Sequence, residues 1–111
     1  MPRFRLIVFT DAVAGQQADY DDWYNNVHLG DVAAVPGVVS AQRFRLRTPV
    51  AGTLPNQHLA IYEIDADDPD KVFEAINALS GTPQMVISEA LDQSNMSVGL
   101  FEACSDRVVA P

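Results

Sequence analysis

The chain has 111 residues, 48% of them apolar and 20% charged, with 15 acidic side chains against 7 basic ones for a net charge of −8. That length predicts a single domain over residues 1–111, able to bury roughly two thirds of its unfolded surface without metal or disulfide support. The acidic balance argues against nucleic acid, whose binding rests on Lys and Arg neutralising phosphates, and against anionic membranes. A lone Cys104 excludes an intrachain disulfide and any cysteine-based metal cluster. No apolar run approaches the roughly 20 residues that cross a bilayer. The one near the start, Leu6 to Phe9, is too short for a signal peptide, so a cytoplasmic location is expected.

Residues 3–10 (RFRLIVFT) are rich in β-branched and aromatic types and predict a strand. Asp19 suits an N-cap, and Asp21 and Asp22 suit the first turn of a helix over 20–35, which the Pro36-Gly37 pair stops. Residues 38–48 alternate as a second strand, the TPVAGTLPN stretch is a loop, and 57–65 (QHLAIYEID) form a third strand. Asp68 and Pro69 open a second helix as N-cap and first helical residue, with Val72, Phe73, Ile76 and Leu79 as its apolar stripe. Within 80–94 a short helical turn is expected at Ser88–Leu91, and 94–103 form the last strand.

The order β-α-β-β-α-β is the split βαβ pattern of ferredoxin-like α+β domains: a four-stranded antiparallel sheet with two helices on one face. The other sheet face is left bare with apolar content, and pairing two such faces across a two-fold axis covers both. A homodimer, a dimeric α+β barrel, is therefore expected.

At about 100° per residue, the first helix brings Trp23, Ala34, Val27, Tyr20, Asp31, Tyr24, Val35 and His28 onto one face, with Leu29 opposite. Asp31 is the anomaly, because a carboxylate on a core stripe needs a partner or water. His28 lies three residues before it, within reach, and Tyr24 lies one turn before His28. A carboxylate beside an imidazole favours its charged form and orients it, and a phenol can donate to a developing oxyanion. The cluster predicts an enzyme with His28, Asp31 and Tyr24 as acid–base residues, acting on a small hydrophobic molecule of aromatic, polyketide or steroid-like character.

Trp23, Tyr20 and Val27 would wall the pocket. His58 and Tyr62 share one strand face and belong either to the pocket or to the dimer interface. Arg43, Arg45 and Arg47 share a face of the second strand; they serve interface ion pairs, or one of them, Arg45, grips a substrate carboxylate or phenolate. No metal site is expected, since His28 and His58 lie on separate elements without ligand spacing, and no cofactor is expected.

The run DYDDWYNNVHLGDVAAVPGVVSAQRFRL, with its W-Y-x-x-x-H motif leading to P-G, resembles the signature region of EthD-like and related dimeric α+β barrel proteins. HLAIYEID and SVGLFEA resemble that family's third and last strands. The resemblance implies a homodimer with a pocket between sheet and helices and His28 facing it. The wider superfamily includes cyclases, isomerases, dehydratases, cofactor-free monooxygenases and haem-handling proteins. The expectation taken from residues and resemblance together is a cofactor-free isomerase, cyclase, dehydratase or other lyase. The alternatives are a non-catalytic ligand-binding or stress-response protein and a cofactor-free monooxygenase.

Overall fold

A computed structural model of the chain, which describes residues 3–111, turns the alternation of the first segment into β1 (Phe4–Thr10). A helical rod follows in three parts: α1 (Gln17–Trp23), a π-helical turn (Tyr24–His28) and α2 (Leu29–Ala33). Then come β2 (Val38–Arg45), β3 (His58–Ile64), α3 (Pro69–Leu79) and β4 (Ser97–Glu102). The sheet order is β2-β3-β1-β4 with every neighbouring pair antiparallel, the ferredoxin-like α+β arrangement. None of the helices among the described residues is long and apolar enough to cross a membrane.

Period-two alternation sends Leu6, Ala60, Tyr62 and Ile64 to the helix side, where they are buried against Tyr20, Trp23, Val32, Val35, Val72 and Ile76. The other side carries Ile7 and Phe9 of β1, Leu59 and Ile61 of β3, Phe44 of β2 and Phe101 of β4, by the register of the ladders. Phe44 and Phe101 are exposed there.

The second helix begins as the sequence implies: Asp68 accepts from the Lys71 amide and Pro69 occupies the first turn. The first helix differs. It starts at Gln17, ahead of the expected Asp19 cap, after a turn at Gly15 closed by the Gln16 amide on the Val13 carbonyl. Gly37, at φ +99°, reverses the chain into β2 in a conformation that side chains resist. A Cβ there would also lie 2.7 Å from Val72 Cγ2.

Segment 80–95 forms no helix, and the turn expected at Ser88–Leu91 is a single one, closed by the Leu91 amide on the Ser88 carbonyl at 3.2 Å. It is an irregular strap fastened by bridges between Ala12 and Leu91 and between Ser80 and Met85. Met85, Ala90 and Leu91 are buried in it, and Ile87 packs against the core beside them.

Candidate functional site

The π-helical turn sets the site. The Leu29 amide donates to the Tyr24 carbonyl, five residues back. One extra residue is thereby accommodated in the turn, the kind of bulge that often marks functional positions. In a regular α-helix, residues five apart diverge by about 140°. Here Trp23 and His28 lie one above the other, their rings stacked at 4.6 Å between centroids and 24° between planes. Tyr24 meets the same imidazole edge-on at 5.2 Å, and the Trp23 indole is held by its Nε1–H donating to the Val86 carbonyl of the strap at 3.0 Å.

The inserted residue also rotates everything after it. Val27, expected on the pocket face, is exposed, and Leu29, expected to be exposed, is partly buried against the core. Asp31, expected near the middle of the buried stripe, is half-exposed and stands outside the cavity lining. These positions correct the face drawn at a uniform 100° per residue.

A cavity of about 280 Å³ lies between the helical rod, α3, the strap and the helix side of β1 and β4. Leu6, Val8, Val32, Phe73 and Ile76 make its apolar walls, with Trp23, Tyr24, His28 and Tyr62 among its lining residues. Asn77, Ser80, Gln93 and Met96 form an exposed rim. Two buried polar atoms on lining side chains have no hydrogen-bond partner, His28 Nδ1 and the Tyr62 hydroxyl. Native interiors seldom leave such atoms unpaired without a function for them.

Burial depresses the His28 pKa from 6.5 to about 4, and the opposing charge of Asp31 is too weak to offset it. The imidazole is therefore neutral at physiological pH. This reverses the expected ordering, in which Asp31 would hold His28 charged.

Beyond His28 the aromatic layer continues. Tyr24 and Tyr20 pack edge-on at 5.5 Å, and the Tyr20 hydroxyl is hydrogen-bonded to Thr10 Oγ1 at 2.6 Å. Burial raises the pKa of Tyr20, Tyr24 and Tyr62 alike, so all three are phenols at neutral pH. The guanidinium of Arg43 lies over the rings of Tyr20 and Tyr24, 5.0 and 4.7 Å from their centroids. Asp21 at 3.0 Å and Asn25 at 2.7 Å hold it there.

Arg45, by contrast, is exposed at the end of β2 and does not line the cavity. His58 is buried outside the cavity, against Tyr20 at 5.3 Å, with Nδ1 3.9 Å from Asp11 Oδ1. Burial lowers its pKa as well, and Arg43 adds to that. Asp11 itself ties the site's far end together by accepting from the Gln57 amide, Asn56 Nδ2 and Asn95 Nδ2.

The structure thus brings Trp23, Tyr24 and His28 together at the cavity as the sequence implies, adds Tyr62 to its lining, and leaves Val27, Asp31, Arg45 and His58, all candidates for the site, outside it. Tyr20 is buried one ring beyond the cavity. Sequence reasoning misses Thr10, Arg43 as the inward arginine, and Asp11. Thr10 was signalled by its alternation with Leu6 and Val8; nothing in the sequence distinguished Arg43 from its neighbours.

No protein-family model matches the chain, and no curated protein sequence does. Solved structures share its fold. MhuD, the haem-degrader of Mycobacterium tuberculosis with two haems in its active site, matches with a TM-score of 0.60 and 19% identity over 95% of this chain and 99% of that one. A point mutant of MhuD with two manganese protoporphyrin IX molecules per active site matches equally, over 96% and 99% of the two chains. An EthD family protein of Bacillus halodurans matches with a TM-score of 0.56 and 14% identity over 90% and 97%. The chain is thus an α+β domain of the fold shared by EthD-like and MhuD-like proteins.

The expectation of a cofactor-free isomerase, cyclase, dehydratase or lyase, with its cofactor-free monooxygenase alternative, is corrected here. Neighbours in fold carry porphyrin in their active sites, and the His28–Asp31 dyad that motivated acid–base chemistry is not assembled.

Proposed function

We propose that this chain is a haem-binding protein of the haem-degrading kind, and that the cavity beside His28 is its haem site. The observation that carries this reading is the His28 imidazole: half-buried, neutral, and with a buried, unpartnered Nδ1 on a lining residue of an apolar cavity. A neutral imidazole offers a lone pair to iron without first losing a proton.

The residues present fit the group. Apolar walls suit the faces of a porphyrin, and the stack of Trp23 on the imidazole restrains the ring's orientation. The volume of about 280 Å³ lies just below the about 300–1,000 Å³ of ligand sites, so a macrocycle would have to extend out through the rim. Asn77 and Gln93 offer neutral hydrogen bonds at that rim, while the Ser80 hydroxyl is committed to the Ile76 carbonyl. When bound, the iron would supply redox and dioxygen chemistry. The chain's own part is to ligate through His28, to exclude water with Leu6, Val8, Val32, Phe73 and Ile76, and to keep protonated phenols close by.

The working unit we infer is a homodimer joined through the outer sheet face. Ile7, Phe9, Phe44, Leu59, Ile61 and Phe101 on that face support this, since an apolar sheet face needs cover. Light scattering on the purified protein should give the mass of two chains.

Hemin titration followed by absorbance tests the site. The wild type should saturate with a sharpened, shifted Soret band. His28→Ala should lose that band position or bind at least tenfold more weakly. Equal spectra and equal affinity for the two proteins would overturn the assignment of His28.

A further inference from the structure

The strap supplies one wall of the cavity through Ile87 and Leu91, and its Gln93 stands at the rim. It is anchored on both sides of a short span. Before the span, Met85 is buried, and a local turn is closed by the Gly81 amide on the Met85 carbonyl and the Met85 amide on the Thr82 carbonyl. After it, the Val13 amide donates to the Ala90 carbonyl at 2.7 Å and the Asp92 amide to the Asp11 carbonyl at 3.0 Å.

Between these anchors lie Val86, Ile87, Ser88 and Glu89. Ser88 commits its carbonyl and hydroxyl to the Leu91 and Ala90 amides, within the strap itself. Among the described residues, one hydrogen bond ties the four to another element: the Trp23 indole N–H on the Val86 carbonyl at 3.0 Å. Val86 and Glu89 are exposed, which leaves Ile87 as the span's apolar contact with the core. A segment held by so few contacts can open while the rest of the fold stays intact. The same indole is stacked on the His28 imidazole, so this bond joins the strap to the group that would meet the iron.

We propose that residues 86–89 are a movable wall of the cavity, latched by the Trp23 indole, whose release lets a flat apolar occupant larger than the closed cavity enter beside His28. The inference rests on the haem reading for its occupant and on the strap's own fastening for its movement. The closed cavity of about 280 Å³ is small for a ligand site, and moving Ile87 out of the wall widens it. Opening gives up one hydrogen bond and the contacts of Ile87, and an apolar occupant restores the latter.

Trp23 is the chain's one tryptophan, so its indole proton is assigned directly by NMR. In the ligand-free wild type its protection against deuterium exchange should be about a hundredfold below that of the β3 amides and unchanged in low urea, as for a local opening. The Val13 and Asp92 amides, which hold the anchor, should stay about tenfold or more better protected than the indole. Indole protection equal to that of β3, lost only on global unfolding, would overturn the latch. Val13 and Asp92 amides as weakly protected as the indole would overturn it too, because the strap would then open as a whole and not between its anchors.

Stopped-flow mixing with hemin reads the consequence. Trp23→Phe keeps an aromatic ring and removes the donor. It should take up hemin about three- to tenfold faster than wild type, the population shift expected from one hydrogen bond. Unchanged association with faster dissociation would overturn the latch, since the indole would then act only through its stack on His28. If wild type takes up no hemin, the haem reading fails and the occupant assigned here falls with it, while the exchange measurement still upholds or overturns the movement of the strap.

Discussion

Replacing His28 with Gln should change how folding stability depends on pH, by an amount that follows from its burial. The imidazole titrates near 6.5 when free in solution and at about 4 in the fold, because burial disfavours its charged form. Between those values the unfolded chain binds a proton that the folded chain does not, so stability must fall as pH is lowered. The full contribution is present above about pH 6.5 and is exhausted near pH 4. At about 1.4 kcal/mol for each tenfold change in proton affinity, the gap corresponds to about 3 kcal/mol. His28→Gln lacks this slope, while the carboxylates and His58 titrate in both proteins and cancel in the comparison. Urea denaturation of the two proteins at pH 7.5, 6, 5 and 4 should show wild type losing about 2–3 kcal/mol relative to the variant. The His28 ring proton followed by NMR should titrate with a midpoint near pH 4. A midpoint at or above 6.5, or stability curves that run parallel over the whole range, would refute both the burial argument and the neutral imidazole on which iron ligation depends.

Two further substitutions probe the frame that positions the site. Gly37→Ala forces a side chain into a positive-φ turn and against Val72; it should destabilise the fold by about 2–4 kcal/mol, measured by denaturant unfolding. Unchanged stability would mean that the turn and α3 part easily. Asp11→Ala removes the acceptor shared by Asn56, Asn95 and the Gln57 amide. It should destabilise by about 2–3 kcal/mol, with faster hydrogen exchange at Gln57 and an unchanged Soret band in the hemin-loaded protein. A shifted Soret band would place the Asp11 cluster within the haem site.

The strands were legible because their alternation is a local property: each apolar side chain in RFRLIVFT or HLAIYEID declares its face whatever its partner is. The same holds for the Asp68-Pro69 helix start, where cap and first turn are neighbours in sequence. The aromatic and histidine side chains at 23, 24 and 28 declared a site for a similar reason, being close along one helix. Their true disposition was not legible. A π-helical turn has no reliable local signature, and a single inserted residue turned Val27 outward, drew Leu29 inward and removed Asp31 from the cavity.

Protonation followed the same division. Sequence spacing suggested a charged His28 beside a carboxylate, but its charge state depends on how much water the packed sheet, α3 and the strap exclude, and that burial outweighs Asp31. Arg43, Arg45 and Arg47 were equivalent as a pattern, and only the register of β2 on β3 set Arg43 over Tyr20 and Tyr24 and left Arg45 at the exposed strand end. Periodicity and caps depend on bonds and neighbours within a turn or two, so the chain carries them openly. Desolvation, the choice among like residues and the pairing of distant polar atoms depend on which surfaces meet, and these were decided only when the sheet and helices closed on one another.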